Sequence, residues 1–365
     1  MTENTPKTHK TIPTKQAIYL ILAFGLLASS LFMFFVDKDL FNPLEANLLN
    51  YYRIIVIVLG LVFLLLASKQ TWLNDKSHKL TNHPRLKWLA ILIPLSVVLV
   101  TILQLTIPEF AVNLVRKESW PFYRNAIFVK SALQLFALVT FIFIARYYWR
   151  QKNKLGVCFA IIIAFILMVM AGEELSWGQR IFGWSSPQFI ADINTQGETN
   201  LHNISTQLFQ NVLYFGGWLL LIGLAFWNKS ISKLFNKSTK LSFLTQWMPP
   251  ASFALIFAAS FAICDSVKSD IGIQYTSNLF IVLATLLIVI ALAISRYHQL
   301  GWAGIKWPIA ILVIFLLAVT SSLFFNNIWD ISVGAFTEYL ETYISFGIVI
   351  WSVTIRKRLA SSTSD

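Results

Sequence analysis

With 365 residues, 56% of them hydrophobic and only 13% charged, the chain falls outside the composition of soluble globular domains. Its apolar runs exceed the roughly 18 residues that cross a bilayer as a helix, and the alternating pattern of a transmembrane barrel is missing from the sequence. The net charge of +12 calls for no nucleic acid, because lysine and arginine gathered on the cytoplasmic side, facing anionic headgroups, account for it.

Taken in order, the sequence predicts an all-α, polytopic membrane protein with ten spans, at about 17–36, 50–68, 87–107, 126–147, 155–174, 207–228, 248–266, 275–295, 307–326 and 333–355. Residues 1–16 form a polar cytoplasmic tail and 17–355 a single transmembrane domain. A second cytoplasmic tail covers 356–365, and the longest outer linker lies at about 178–207. The first apolar run is longer than a signal-peptide core and no small-residue cleavage site ends it, so it reads as an uncleaved helix. Cys158 and Cys264 sit in or near separate spans without metal-type spacing, and read as packing residues.

Charge orients the chain. When the termini and alternate linkers are placed on one side, that side collects most of the 29 basic residues, among them Lys7, Lys69, Arg150, Lys154, Lys233, Arg296 and Arg356. Both termini are therefore predicted to be cytoplasmic, with the chain in a bacterial inner membrane. Of the 17 acids only Glu3, Asp75 and Asp365 share that side. The orientation rule does not require acids to segregate, so this asymmetry points to an acidic site on the outer face.

The fifth span ends in GEELSWGQR, bringing Glu173, Glu174, Ser176 and Arg180 within two turns. The linker that follows reaches NLHN, where Thr199 or Asn200 is predicted to cap the sixth span, with Glu198 and His202 about a turn apart on one face. His9, His78, His83 and His298 are all cytoplasmic, so His202 is the one outer histidine. Span seven ends at Asp265, and span ten carries Glu338 and Glu341 one turn apart within an apolar run. Ionised groups inside a span normally face a polar interior and partners. Trp177, Trp184 and Trp329 fit an interfacial aromatic belt.

Such a set of acids is stabilised by shared protons, by pairing with Arg180, or by a bound cation. For a cation, Glu198, His202 and Asp265 are the candidate ligands. Oxygen donors with one imidazole suit Zn²⁺, Mn²⁺, Mg²⁺ or Ca²⁺. Glu173 or Glu174 is then the candidate general base. Ser176 is a weaker catalytic candidate because no partner for a nucleophile is evident, and Arg180, Glu338 and Glu341 complete the site.

GEELSWGQR followed by NLHN resembles a signature of uncharacterised multi-spanning membrane proteins. The resemblance covers about residues 172–203 and implies no activity.

The function expected from these residues is metal-assisted hydrolysis or group transfer on a lipid or lipid-linked substrate, with membrane lipids as the surrounding partners. One alternative is a polyprenyl-phosphate-dependent glycosyltransferase, signalled only by Asp37 and Asp39 in a short first outer loop. Others are a cation- or proton-coupled transporter, although no inverted repeat is visible, and a non-catalytic assembly protein.

Overall fold

The computed structural model describes residues 84–106, 121–194, 197–201, 204, 206–263, 273–328 and 334–361, all within one compact unit, Lys76–Asp365. The first two predicted spans, the Asp37–Asp39 loop, His202, Asp265 and Trp329 lie outside these residues.

Among the described residues the fold is helical throughout, without strands. Twelve helices follow one another: α1 (Pro84–Thr106), α2 (Pro121–Arg150), α3 (Lys154–Glu174), α4 (Gln179–Phe182), α5 (Gln188–Ala191), α6 (Thr206–Trp218), α7 (Leu224–Phe226), α8 (Asn228–Phe235), α9 (Phe253–Ala258), α10 (Ile273–Leu300), α11 (Trp302–Ile328) and α12 (Gly334–Ser361). Four stretches are long and apolar enough to cross a membrane: Ile127–Arg150, Lys154–Glu174, Ile281–Leu300 and Trp302–Val319. They coincide with four predicted spans, and α1 and α12 coincide with two more as helices.

Two further predicted spans are irregular helices. The sixth continues from α6 through a π-helical turn at Leu219–Gly223 into α7, then bends by 82° into the amphipathic α8, NKSISKLF. The seventh is broken. Met248 is extended ahead of Pro249 and Pro250, where a proline disfavours helix in the residue before it. Helix begins only at Phe253 and tightens into a 3-10 turn at Ala259–Ile263. Phe253 through Phe261 are buried almost completely. Within the described residues the hydrophobicity of this segment therefore packs against protein, as a short buried helix does.

α2 and α3 form the most extensive helix pair, and α2 packs next most extensively on α12. The α2–α3 hairpin turns through Lys152, in the left-handed region, and Asn153, whose Oδ1 caps α3 by accepting from Gly156 N at 2.9 Å. α2 and α12 run parallel and in register: Lys130 meets Glu341 and Gln134 meets Ser345, both pairs separated by 211 residues. Deeper on the same seam Phe141 packs on Trp351 and Trp247.

The two ends of the bundle differ in charge. The end where α2 gives way to α3 carries Arg150, Lys152 and Lys154, and Arg358 there donates to the carbonyls of Gln246 and Met248. Trp247 donates to Tyr148, and Trp351 to the Trp247 carbonyl, closing that end with aromatic rings. The opposite end, where α3 stops, holds Glu173, Glu174, Glu198 and Glu341.

Candidate functional site

α3 ends at Glu174, and the chain then makes a left-handed turn through Ser176 (φ 47°), Trp177 (φ 52°) and Gly178 (φ 96°). Two consecutive non-glycine residues in this region are costly, so the surroundings must hold them there. The Trp177 ring folds back over Gly172, where a Cβ would come within 2.9 Å of it. The indole Nε1 donates to Glu173 Oε1 at 2.6 Å. The other Glu173 oxygen accepts from Leu201 N, also at 2.6 Å, so this buried carboxylate ties the end of α3 to the far end of the linker. Gly178→Ala places a Cβ 2.9 Å from Trp184 on a backbone that disfavours L residues. A loss of about 1–3 kcal/mol is expected, read from thermal unfolding in detergent. Gly183→Ala (φ 73°), with open space around it, should cost only the smaller conformational share.

The turn delivers Ser176 and Arg180 to Glu198. Ser176 Oγ donates to Glu198 Oε2 at 2.7 Å and Arg180 Nη2 reaches the same oxygen at 2.7 Å. Asn200 Nδ2 donates to it at 2.9 Å and to Ser176 Oγ at 3.1 Å. Gln179 Oε1 accepts from the Thr199 amide and hydroxyl, and Asn194 Nδ2 donates to Asn200. Such a knot is electrostatic: a carboxylate accepting from a guanidinium and two neutral donors forms strong charge-assisted bonds.

Thr199 and Asn200 are thus spent on the linker. Among the described residues Glu198, Thr199 and Asn200 lie in non-helical chain in place of the predicted cap, and the helix α6 is described from Thr206.

A second polar cluster sits between helices. Lys130 Nζ on α2 is 2.9 Å from Glu174 Oε2 on α3 and 2.7 Å from Glu341 Oε2 on α12. The lysine is 1% exposed, its two partners 17% and 12%. Tyr214 on α6 donates to Glu341 Oε1 at 3.2 Å. One turn deeper, Gln134 Nε2 donates to Ser345 at 3.3 Å, while Gln134 Oε1 is buried without a hydrogen-bond partner. α6 reaches α12 because Gly217 lies against Ile344, where a Cβ would approach to 2.8 Å. Gly217→Val should wedge the helices apart and lower stability by about 1–3 kcal/mol in a chemical unfolding titration, with Tyr214 drawn from Glu341.

The candidates from sequence therefore fall into two groups. Ser176, Arg180 and Glu198 come together in the linker, and Glu174 and Glu341 come together on Lys130. Glu173 and Glu174, the two candidates for the general base, serve different networks because neighbours on a helix point about 100° apart. Glu338 lies on α12, with its side chain outside the described residues, as are His202 and Asp265. Among the described residues no group of three His, Cys, Asp or Glu is placed to hold a metal ion. Lys130 escaped the sequence reading, although a lone lysine in the apolar run FVKSALQLF is itself the signal of a buried charge with partners.

Comparison with known proteins adds no identity: no family model matches the chain, and no curated protein or solved structure matches it.

Proposed function

We propose that this chain is an integral membrane protein that binds a cation at the acidic, extracytoplasmic end of its bundle, between Glu174 and Glu341. The observation that carries this reading is the convergence of two carboxylates from different helices, within 3 Å, on the Lys130 ammonium. That arrangement is already a cation site, and its resident cation is tethered to α2. A proton or small cation arriving at the partly exposed glutamates competes with Lys130 for the same oxygens. Tyr214 and the spare acceptor Gln134 Oε1 supply neutral oxygens nearby. The aromatic packing of Phe141, Trp247 and Trp351 deeper on the seam supports access from the acidic end alone. The basic opposite end supports a cytoplasmic placement for that side.

The test is the thermal unfolding midpoint of the detergent-purified protein across pH 5–8 and in Na⁺, K⁺, Mg²⁺, Ca²⁺, Mn²⁺ and Zn²⁺. A ligand at a hundred times its dissociation constant adds about 2.7 kcal/mol of stability. One of these cations, or the proton, should raise the wild-type midpoint, and the rise should vanish in Glu174→Gln and Glu341→Gln while persisting in Glu198→Gln. A midpoint indifferent to all of them, or a rise that survives Glu341→Gln, overturns the reading.

A second reading, metal-assisted hydrolysis or transfer on a lipid-linked substrate, draws on the left-handed backbone at Ser176, which concentrates strain beside a hydroxyl, a guanidinium and a carboxylate. Its metal ligands would be Glu198, His202 and Asp265. In the same titration it requires the opposite pattern, a divalent-cation effect lost in Glu198→Gln and His202→Ala and kept in Glu341→Gln.

A further inference from the structure

The linker between α3 and α6 is polar within and apolar without. Asn194, Asn200 and Ser176 are buried in it, whereas Phe182 and Phe189 are 72% and 71% exposed, with Ile181, Trp184, Ile193 and Leu201 also open. A water-facing loop has the reverse arrangement, and a contiguous exposed apolar surface marks a binding or membrane face.

We propose that this linker lies in the plane of the membrane at the acidic end, with that apolar surface sunk among the lipids of the adjoining leaflet. Three observations choose lipid as the occupant. The exposed apolar face of α3, with Ile161, Ile162, Phe165 and Ile166, belongs to a membrane-length helix, and the linker continues directly from its end. The short helix α5 and the turn that follows it are two-sided: Phe189 and Ile193 lie four residues apart and both are exposed, while Gln188 and Asp192, also four apart, bond to each other at 3.0 Å.

The third observation is main-chain satisfaction. Non-helical backbone survives at membrane depth only where its polar groups are met by protein. Here Glu173 takes the Leu201 amide, Gln179 the Thr199 amide and Asn194 the Glu198 amide, while Ser186 Oγ donates to the Gly197 carbonyl at 2.7 Å and Asn194 Nδ2 to the Asn200 carbonyl, also at 2.7 Å. The polar side chains of the linker thereby do within the protein what water does for an ordinary loop.

Nitroxide labels test this in the full chain, in a Cys158→Ser, Cys264→Ser background reconstituted into phosphatidylcholine–phosphatidylglycerol vesicles. Phe182→Cys and Phe189→Cys carry the probe, with Phe165→Cys on α3 as the lipid reference and Asp192→Cys as the water reference. Power saturation should show several-fold greater collision with oxygen than with a nickel chelate at positions 182, 189 and 165, and the reverse at 192. Nickel access at 182 and 189 equal to that at 192 overturns the proposal. So does protection from both reagents, the mark of a second copy or another protein on that face. A label-free measurement guards against a perturbing probe. Acyl-brominated lipid should quench a tryptophan component in the wild type that is missing from Trp184→Phe, and equal quenching in the two counts against lipid contact.

Discussion

Lys130→Met is expected to lower the stability of the folded protein by about 3–5 kcal/mol, the cost of leaving buried charges without the partner they were folded around. Glu174 and Glu341 would keep their positions on α3 and α12 but lose the ammonium that both approach within 3 Å. The loss should be read from unfolding in detergent, with the elution profile reporting whether the bundle survives. A triple variant, Lys130→Met with Glu174→Gln and Glu341→Gln, should recover most of the loss, since it removes the charges along with their partner. Recovery separates an electrostatic cause from the simple loss of a packed side chain. If Lys130→Met unfolds like the wild type, the ion pairs do not hold α2, α3 and α12 together. Lys130→Arg is not a neutral control, because a planar guanidinium presents its donors differently from a compact ammonium.

Glu198→Ala is expected to loosen the linker by about 3 kcal/mol, because it removes the oxygen on which Ser176, Arg180 and Asn200 all converge. The effect should be local. Amide hydrogen exchange should accelerate across residues 179–201, including the Thr199 and Leu201 amides held by Gln179 and Glu173, while the α2–α3 hairpin keeps its protection. Glu198→Gln retains an acceptor oxygen and should loosen it less. Unchanged exchange in Glu198→Ala would mean that the left-handed turn at Ser176 and Trp177 is held by Glu173 and the Trp177 ring alone.

The two predictions concern different halves of one sequence motif. In GEELSWGQR, Gly172 accommodates the indole and Glu173 binds it. Glu174 turns into the bundle, and Ser176 and Arg180 turn outward to Glu198. Paired acids at the end of an apolar helix are thus a branch point: one anchors the linker, the other joins the charges buried between the helices.

What the sequence determined alone was whatever depends on local, one-dimensional physics. Hydrocarbon thickness sets the length of a spanning helix, and the need to satisfy every backbone group in lipid makes helix the form. Membrane-length helices therefore occur where the apolar runs at 126–147, 155–174, 275–295 and 307–326 predicted them. The contrast between acidic and basic ends was legible for the same reason, since it follows from connectivity and charge. Tertiary structure decided the rest. Lys130 and Glu341 meet across 211 residues because α2 and α12 run parallel in one register, and no local pattern encodes that register. Whether an apolar segment faces outward or packs against protein is equally non-local: 253–261 is as apolar as the exposed face of α3 and is buried. In the linker the same logic is inverted. Its asparagines and serines are typical of loops and its one glutamate, Glu198, reads as a candidate metal ligand; only their mutual hydrogen bonds turned them inward and left Phe182 and Phe189 outside, because buried polar groups must find partners wherever the fold can bring them together.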